Sequence, residues 1–98
     1  MATFITTLHF TEQGVKAVRD TGTRAAAFKA AAKKMGVKVT GQFWTLGAFD
    51  GVVACEAPDE ATATAAMLHL SSLGNLRTQT ARAFDAAEMQ KILDLLPK

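Results

Sequence analysis

The side chains best suited to acid–base chemistry in this sequence are His9, His69 and Asp50. Histidine titrates near neutral pH, so His9 is a candidate acid–base group in a pocket. Asp50 stands between Phe49 and Gly51 and is a candidate general base or ligand-orienting carboxylate. The alternative for Asp50 is a turn residue that hydrogen-bonds its own backbone, and we expect that role for it. For His69, beside an apolar stripe, we expect a packed or rim position.

A small-molecule pocket is the second candidate, with Gln42, Trp44 and Arg77 as its ligand-binding residues. The Arg77 guanidinium could neutralise a carboxylate, whereas an edge-strand arginine also discourages aggregation or forms an ion pair across a dimer. Trp44 could stack on a ligand, although core or interface packing is commoner for a strand tryptophan. We predict that any such site lies between sheet and helices or at a subunit interface, lined by Trp44 and His9 with Arg77 nearby.

The sequence contains none of the usual motifs for binding a metal ion or a phosphate group. Neither histidine has a partner at metal-ligand spacing, and no Cys-x-x-Cys pair or phosphate-binding glycine loop is present. The single cysteine, Cys55, lies in a predicted strand, where a buried and unreactive thiol is expected. We therefore predict no metal ion and no cofactor.

Length and composition indicate one small domain over residues 1–98, with an apolar share of 49%. No apolar run approaches the roughly 20 residues that span a bilayer, and the N-terminus lacks the features of a secretory signal. One cysteine suits a reducing compartment, so we expect a cytoplasmic protein without membrane association. The net charge of +2 is too small to argue for nucleic-acid binding.

The elements that position these groups follow from hydropathy and capping patterns. Four strands are predicted, at residues 3–10, 37–46, 52–57 and 75–84. Three helical regions are predicted, at residues 11–35 with a break near Gly22 and a cap at Thr23, at 59–73, and after a capping-box aspartate at Asp85. A glycine-bracketed reversal at 47–51 joins the second and third strands. The β-α-β-β-α-β order with a C-terminal helix predicts an α+β, ferredoxin-like fold with a four-stranded antiparallel sheet.

The predicted strands carry bulky apolar residues on both faces, as Phe4 beside Ile5 and Val52 beside Val53 illustrate. A half-solvated sheet is normally polar on its open side, and two helices cover only one face. A second copy of the chain, packed sheet to sheet, would cover the other, so we predict a homodimer or larger homo-oligomer. RNA-recognition domains share the strand order but need exposed aromatic residues on the third strand, which has none here.

Four separated segments of the chain form a recognisable series, at residues 44–50, 52–53, 57–59 and 72–78. They resemble the GYD-domain proteins, a family of small bacterial proteins, and the resemblance extends over nearly the whole chain. Phe49 stands where the family signature has tyrosine, so any role of a phenolic hydroxyl is absent. The family is similar to the dimeric α/β-barrel group, which implies the same sheet-to-sheet assembly. The resemblance supplies no catalytic residues.

Two functions follow as hypotheses. The first is a homo-oligomeric small-ligand-binding or structural module, for a small apolar or carboxylated ligand. The alternative is a cofactor-independent isomerase or oxygenase acting on a small hydrophobic or carboxylated molecule, by analogy with the barrel group. His9, Asp50 and Arg77 would be its polar groups, which requires that they converge on one cavity.

Overall fold

The computed structural model describes residues 1–98 and has the predicted order of strands and helices. The strands are β1 (Ala2–Phe10), β2 (Lys38–Trp44), β3 (Gly51–Ala57) and β4 (Leu76–Ala83). The helices are α1 (Glu12–Lys16), α2 (Thr21–Lys34), α3 (Glu60–Ser72) and α4 (Ala86–Leu93), with a 3₁₀ turn at Val18–Asp20 before α2. The α+β, ferredoxin-like fold with a C-terminal helix is thereby confirmed.

The four strands form one antiparallel sheet in the order β2-β3-β1-β4. In the central strand β1, Phe4 lies opposite Cys55 of β3 on one side and opposite Arg82 of β4 on the other. The β2–β3 hairpin shifts register between Val39 and Gly41, where β2 contains an extra residue. Such a bulge changes which residues of β2 face the helices, because side chains alternate strictly along a strand.

The hydrophobic core lies between one face of the sheet and the helices α2 and α3. From the sheet it takes Phe4 and Leu8 of β1 and Val53, Cys55 and Ala57 of β3. From the helices it takes Phe28, Ala32, Ala63, Ala66, Met67 and Leu70. Both main helices therefore cover the same face of the sheet, in agreement with the sequence.

The opposite face of the sheet, called the open face below, is covered by neither α2 nor α3. Its residues alternate with those of the core, and none of them is buried. They are Thr3, Ile5, Thr7, His9, Lys38, Gly41, Phe43, Val52, Ala54, Glu56, Arg77, Gln79, Ala81 and Ala83. The largest apolar side chain among them, Phe43, is 65% exposed. The open face is thus a mixed surface with an apolar centre.

Local hydrogen bonds fix the helix ends. Thr11 caps α1 and Asp59 caps α3, each by accepting a bond from the amide three residues further on. At the start of α4, Asp85 and Glu88 form the reciprocal capping box that the sequence predicts. Gly36, just beyond α2, has φ +84°, a conformation that favours glycine at a helix C-terminus.

The helical region 11–35 is broken just before Gly22, close to the position that the sequence predicts. The break is the 3₁₀ turn Val18–Asp20, whereas Gly22 lies inside the first turn of α2. Because α2 begins at Thr21, the prediction that Thr23 caps it is wrong. The Arg24 side chain instead stabilises the break, since its Nη1 donates to the Ala17 carbonyl oxygen at 2.8 Å.

The terminal helix α4 contains no buried residue. Its apolar side chains remain exposed, including Met89 and Leu93 at 45% and 44%. An ion pair of 3.0 Å between Arg82 of β4 and Glu88 ties its first turn to the sheet. An isolated helix of this length is marginal in water, so α4 depends on its cap, this ion pair and whatever covers its apolar side.

Candidate functional site

A cavity of about 110 Å³ lies between the sheet and α2, near the ends of β1, β2 and α3. Its walls are mostly apolar and come from several elements. The principal apolar contributors are Leu8, Phe10, Phe28, Leu70 and Leu76. A concave, mostly apolar space with a few polar groups is the usual form of a small-molecule site, so this cavity is the candidate site.

Trp44 and Gln42 both line this cavity, as their shared strand parity suggests. The Trp44 indole Nε1 donates to Thr21 Oγ1 of α2 at 3.0 Å, which joins the edge strand β2 to the helix layer. The tryptophan is 53% exposed and therefore lies at the rim of the cavity. Because the chain has one tryptophan, Trp44 is also its natural fluorescent reporter.

Asp50 belongs to the loop between β2 and β3 and also lines the cavity. Its Oδ2 accepts a hydrogen bond of 2.8 Å from the Phe10 backbone amide at the end of β1. The expectation that Asp50 bonds the backbone of its own turn is therefore wrong. Within the loop that role falls to Thr45, whose hydroxyl donates to the Phe49 carbonyl oxygen at 2.6 Å.

His9 and Arg77 lie on the open face, directly opposite each other on β1 and β4. The nearest polar partner of His9 is the Ala48 carbonyl oxygen, 3.1 Å from Nε2. Trp44 and Gln42 pair with Gly51 and Val53, whose side of the sheet faces the core. The prediction of one pocket lined by Trp44 and His9 with Arg77 nearby is therefore wrong.

Arg24 is a charged cavity residue that the sequence did not single out. It comes from α2, and its two terminal nitrogens donate to the carbonyl oxygens of Ala17 and Gly14, at 2.8 and 3.3 Å. In the sequence it was one of several basic residues in predicted helices, for which a solvated face is the ordinary position. Its spacing ahead of Phe28, a buried residue one helical turn later, was the available signal.

The remaining candidate residues, Cys55 and His69, do not line the cavity. Cys55 is fully buried in β3, and desolvation by burial raises the pKa of its thiol, so the expected buried position is confirmed. His69 is exposed on α3. No group of three or more His, Cys, Asp and Glu side chains is arranged to hold a metal ion. None of the helices has the length and apolar character needed to cross a bilayer.

The fold and the cavity define the class of this protein: a ferredoxin-like α+β domain with a small apolar site between its sheet and helices. The sequence also matches a known protein family. The family described as GYD domain matches residues 4–93, which is nearly the whole chain. The chain belongs to the GYD domain family, so the resemblance seen in the sequence is confirmed.

One relative has a descriptive name. It comes from Thermus thermophilus and is described as a glutamine synthetase and cystathionine beta-lyase binding protein. It is 34% identical to this chain over 90 residues, which cover 91% of this chain and 95% of the relative. The two proteins are thus similar over their full domains.

Proposed function

We propose that this chain is a homo-oligomeric interaction module that pairs with a second copy of itself and binds another protein. The observation that carries the proposal is the open face, a whole side of the sheet without a buried residue. The relative's name, which describes binding to two enzymes, supports the second part.

Self-pairing follows from the chemistry of the open face. Ile5 lies at its centre, with Ala54 and Ala81 as its neighbours on β3 and β4. Val52 and Phe43 extend the apolar surface toward the edge strand β2. Covering this surface with the same surface of a second chain removes apolar area from water on both copies at once.

The helix α4 provides a second uncovered apolar surface for the same assembly. None of its apolar residues Met89, Ile92 and Leu93 is buried, and Leu96, just beyond the helix, is 61% exposed. A stable interface buries roughly 800 Å² on each subunit, so an apolar surface beyond the sheet face would add to the area available. We propose that α4 packs on the partner copy and enlarges the interface.

The self-association is tested by sedimentation equilibrium at micromolar concentration. The wild type is expected at twice the chain mass of 10.4 kDa, or a higher multiple. Ile5→Lys places a charge at the centre of the open face and should shift the mass to that of one chain. Leu68→Lys is the matched control, because Leu68 is 64% exposed on α3, on the other side of the molecule. A wild-type protein that stays at the mass of one chain would overturn the proposal.

The partner-binding part is tested with the two enzymes that the relative's name provides. Purified glutamine synthetase and cystathionine β-lyase are each immobilised, and binding of the wild-type chain is measured by surface plasmon resonance. Saturable binding to either enzyme supports the proposal, and Ile5→Lys shows whether the paired form is required. Absence of binding to both would remove the relative's name as support.

No specific observation favours the alternative of a cofactor-independent isomerase or oxygenase. That hypothesis required His9, Asp50 and Arg77 to share one cavity. Asp50 lines the cavity, whereas His9 and Arg77 belong to the open face.

A further inference from the structure

The walls of the cavity between the sheet and α2 are mostly apolar. They nevertheless include one positively charged and one negatively charged residue. Arg24 enters from α2 and Asp50 from the loop before β3, and both are partly buried. The two ion pairs of the molecule are elsewhere, Lys16 with Glu12 and Arg82 with Glu88. Arg24 and Asp50 therefore line the same space without forming an ion pair with each other.

Each of these two charges keeps hydrogen-bonding capacity after its bonds within the chain. Arg24 donates one bond from Nη1 and one from Nη2, and a guanidinium carries further N–H groups. Asp50 accepts the Phe10 amide on Oδ2, which leaves Oδ1 for another donor. The backbone contacts hold both side chains in place, so they are oriented before any ligand binds.

We infer that this cavity binds a small zwitterion, specifically an α-amino acid with an apolar side chain. Its carboxylate would accept hydrogen bonds from Arg24, its ammonium would donate to Asp50, and its side chain would contact Phe28 and Leu70. This site does not depend on the interaction role proposed above. Gln42 also lines the cavity, and its side-chain amide would help to orient the polar end.

The two opposite charges in the cavity favour one class of ligand over the others. A simple carboxylate would gain Arg24 but meet repulsion from Asp50, and a simple amine would gain Asp50 but meet repulsion from Arg24. A neutral apolar molecule would displace water from both charged groups without replacing the lost hydrogen bonds, which is costly. A zwitterion supplies both partners. The volume of about 110 Å³ also suits a single amino acid better than a drug-sized ligand.

The inference can be tested with three probes that share one branched apolar chain. L-leucine carries both charges, isocaproate lacks the ammonium, and isoamylamine lacks the carboxylate. Binding is measured by the fluorescence of Trp44 at the cavity rim and by its protection from iodide quenching, with melting temperature as a second readout. L-leucine at millimolar concentration should bind, and both truncated probes should bind about tenfold more weakly or worse.

Two variants test which charged residue contacts each end of the ligand. Asp50→Asn keeps an oxygen that can accept the Phe10 amide but removes the negative charge. It should weaken L-leucine by about tenfold while leaving isocaproate unchanged or tighter, because the repulsion is gone. Arg24→Gln should weaken L-leucine and isocaproate but not isoamylamine. Since Arg24 also supports the break before α2, the Asp50→Asn result stands as the decisive one if Arg24→Gln fails to fold.

Matched controls lie outside the cavity. Arg19→Gln makes the same charge change on an exposed residue of the 3₁₀ turn, and Asp59→Asn keeps a good helix cap at the far end of α3. Both should bind L-leucine like the wild type. The inference is overturned if L-leucine neither changes Trp44 fluorescence nor raises the melting temperature. It is overturned equally if isocaproate binds the wild type as tightly as L-leucine does.

Discussion

The carboxylate of Asp50 and the backbone amide of Phe10 are joined by a 2.8 Å hydrogen bond across 40 residues of sequence. The Asp50 amide in turn donates to the Leu8 carbonyl oxygen, also at 2.8 Å. Regular pairing of β1 with β3 stops at Leu8 opposite Gly51. The aspartate therefore extends the ladder by one step with its side chain and holds the loop at 45–50 against the end of β1.

This contact predicts different outcomes for two substitutions of Asp50. Asp50→Ala leaves the partly buried Phe10 amide without an acceptor, and we expect it to lower the free energy of unfolding by about 1–2 kcal/mol. Asp50→Asn retains an oxygen at the same place and should cost much less. Urea unfolding followed by circular dichroism measures both. Equal losses for the two variants would show that the charge, and not the hydrogen bond, stabilises the loop.

The fold could be predicted from the sequence because its signals are local and agree with one another. Strand β1 is an unbroken run rich in Thr, Ile, Leu and Phe, Asp59 and Asp85 are strong caps, and Gly36 and Gly74 follow helices with positive φ. Each signal depends on residues a few positions apart. The break between α1 and α2 was predicted near Gly22, but the sequence did not show that Arg24 bonds backward across it to Ala17, a contact that no local propensity indicates.

The site was harder to predict because it depends on which residues of different strands face the same side of the sheet. The parity of Gln42 with Trp44, and of His9 with Thr7, can be seen within each strand. Which pairs share a face is set by the register between strands, and the bulge after Val39 contributes to that register. The sequence alone does not give this register. It therefore could not show which residues line the cavity and which lie on the open face.

The Arg82–Glu88 ion pair predicts a pH dependence for α4. The hydrogen bond from the Arg82 side chain is the main cause that lowers the pKa of Glu88 below its ordinary value of 4.5. A carboxyl group whose pKa is lowered on folding stabilises the fold above its unfolded pKa, and this contribution is lost as the pH falls through the folded pKa. We expect Glu88→Gln to weaken hydrogen-exchange protection of the α4 amides at neutral pH, and this difference from the wild type to disappear as the pH falls through the folded pKa of Glu88.

The control for this experiment is Glu12→Gln. Glu12 pairs with Lys16 at 3.1 Å, but its side chain is 84% exposed, and such surface pairs contribute little. Its effect on protection should be small at both pH values. If Glu88→Gln weakened α4 equally at neutral and acidic pH, the capping role of the side chain rather than its charge would explain the loss.

Two glycines in the first helical region should respond in opposite directions to the same substitution. A Cβ built at Gly14 in α1 would lie 2.0 Å from the Asn75 carbonyl oxygen, which is backbone and cannot move aside. At Gly22, inside α2, a Cβ would meet nothing within 4 Å. Gly14→Ala should therefore lower the free energy of unfolding by about 1–3 kcal/mol, because α1 must separate from the start of β4. Gly22→Ala should raise it by about 0.5–1 kcal/mol, since alanine favours the helix and lowers the entropy of the unfolded chain. Chemical denaturation of the two variants beside the wild type measures both signs, and a stabilising Gly14→Ala would contradict the close approach of α1 to Asn75.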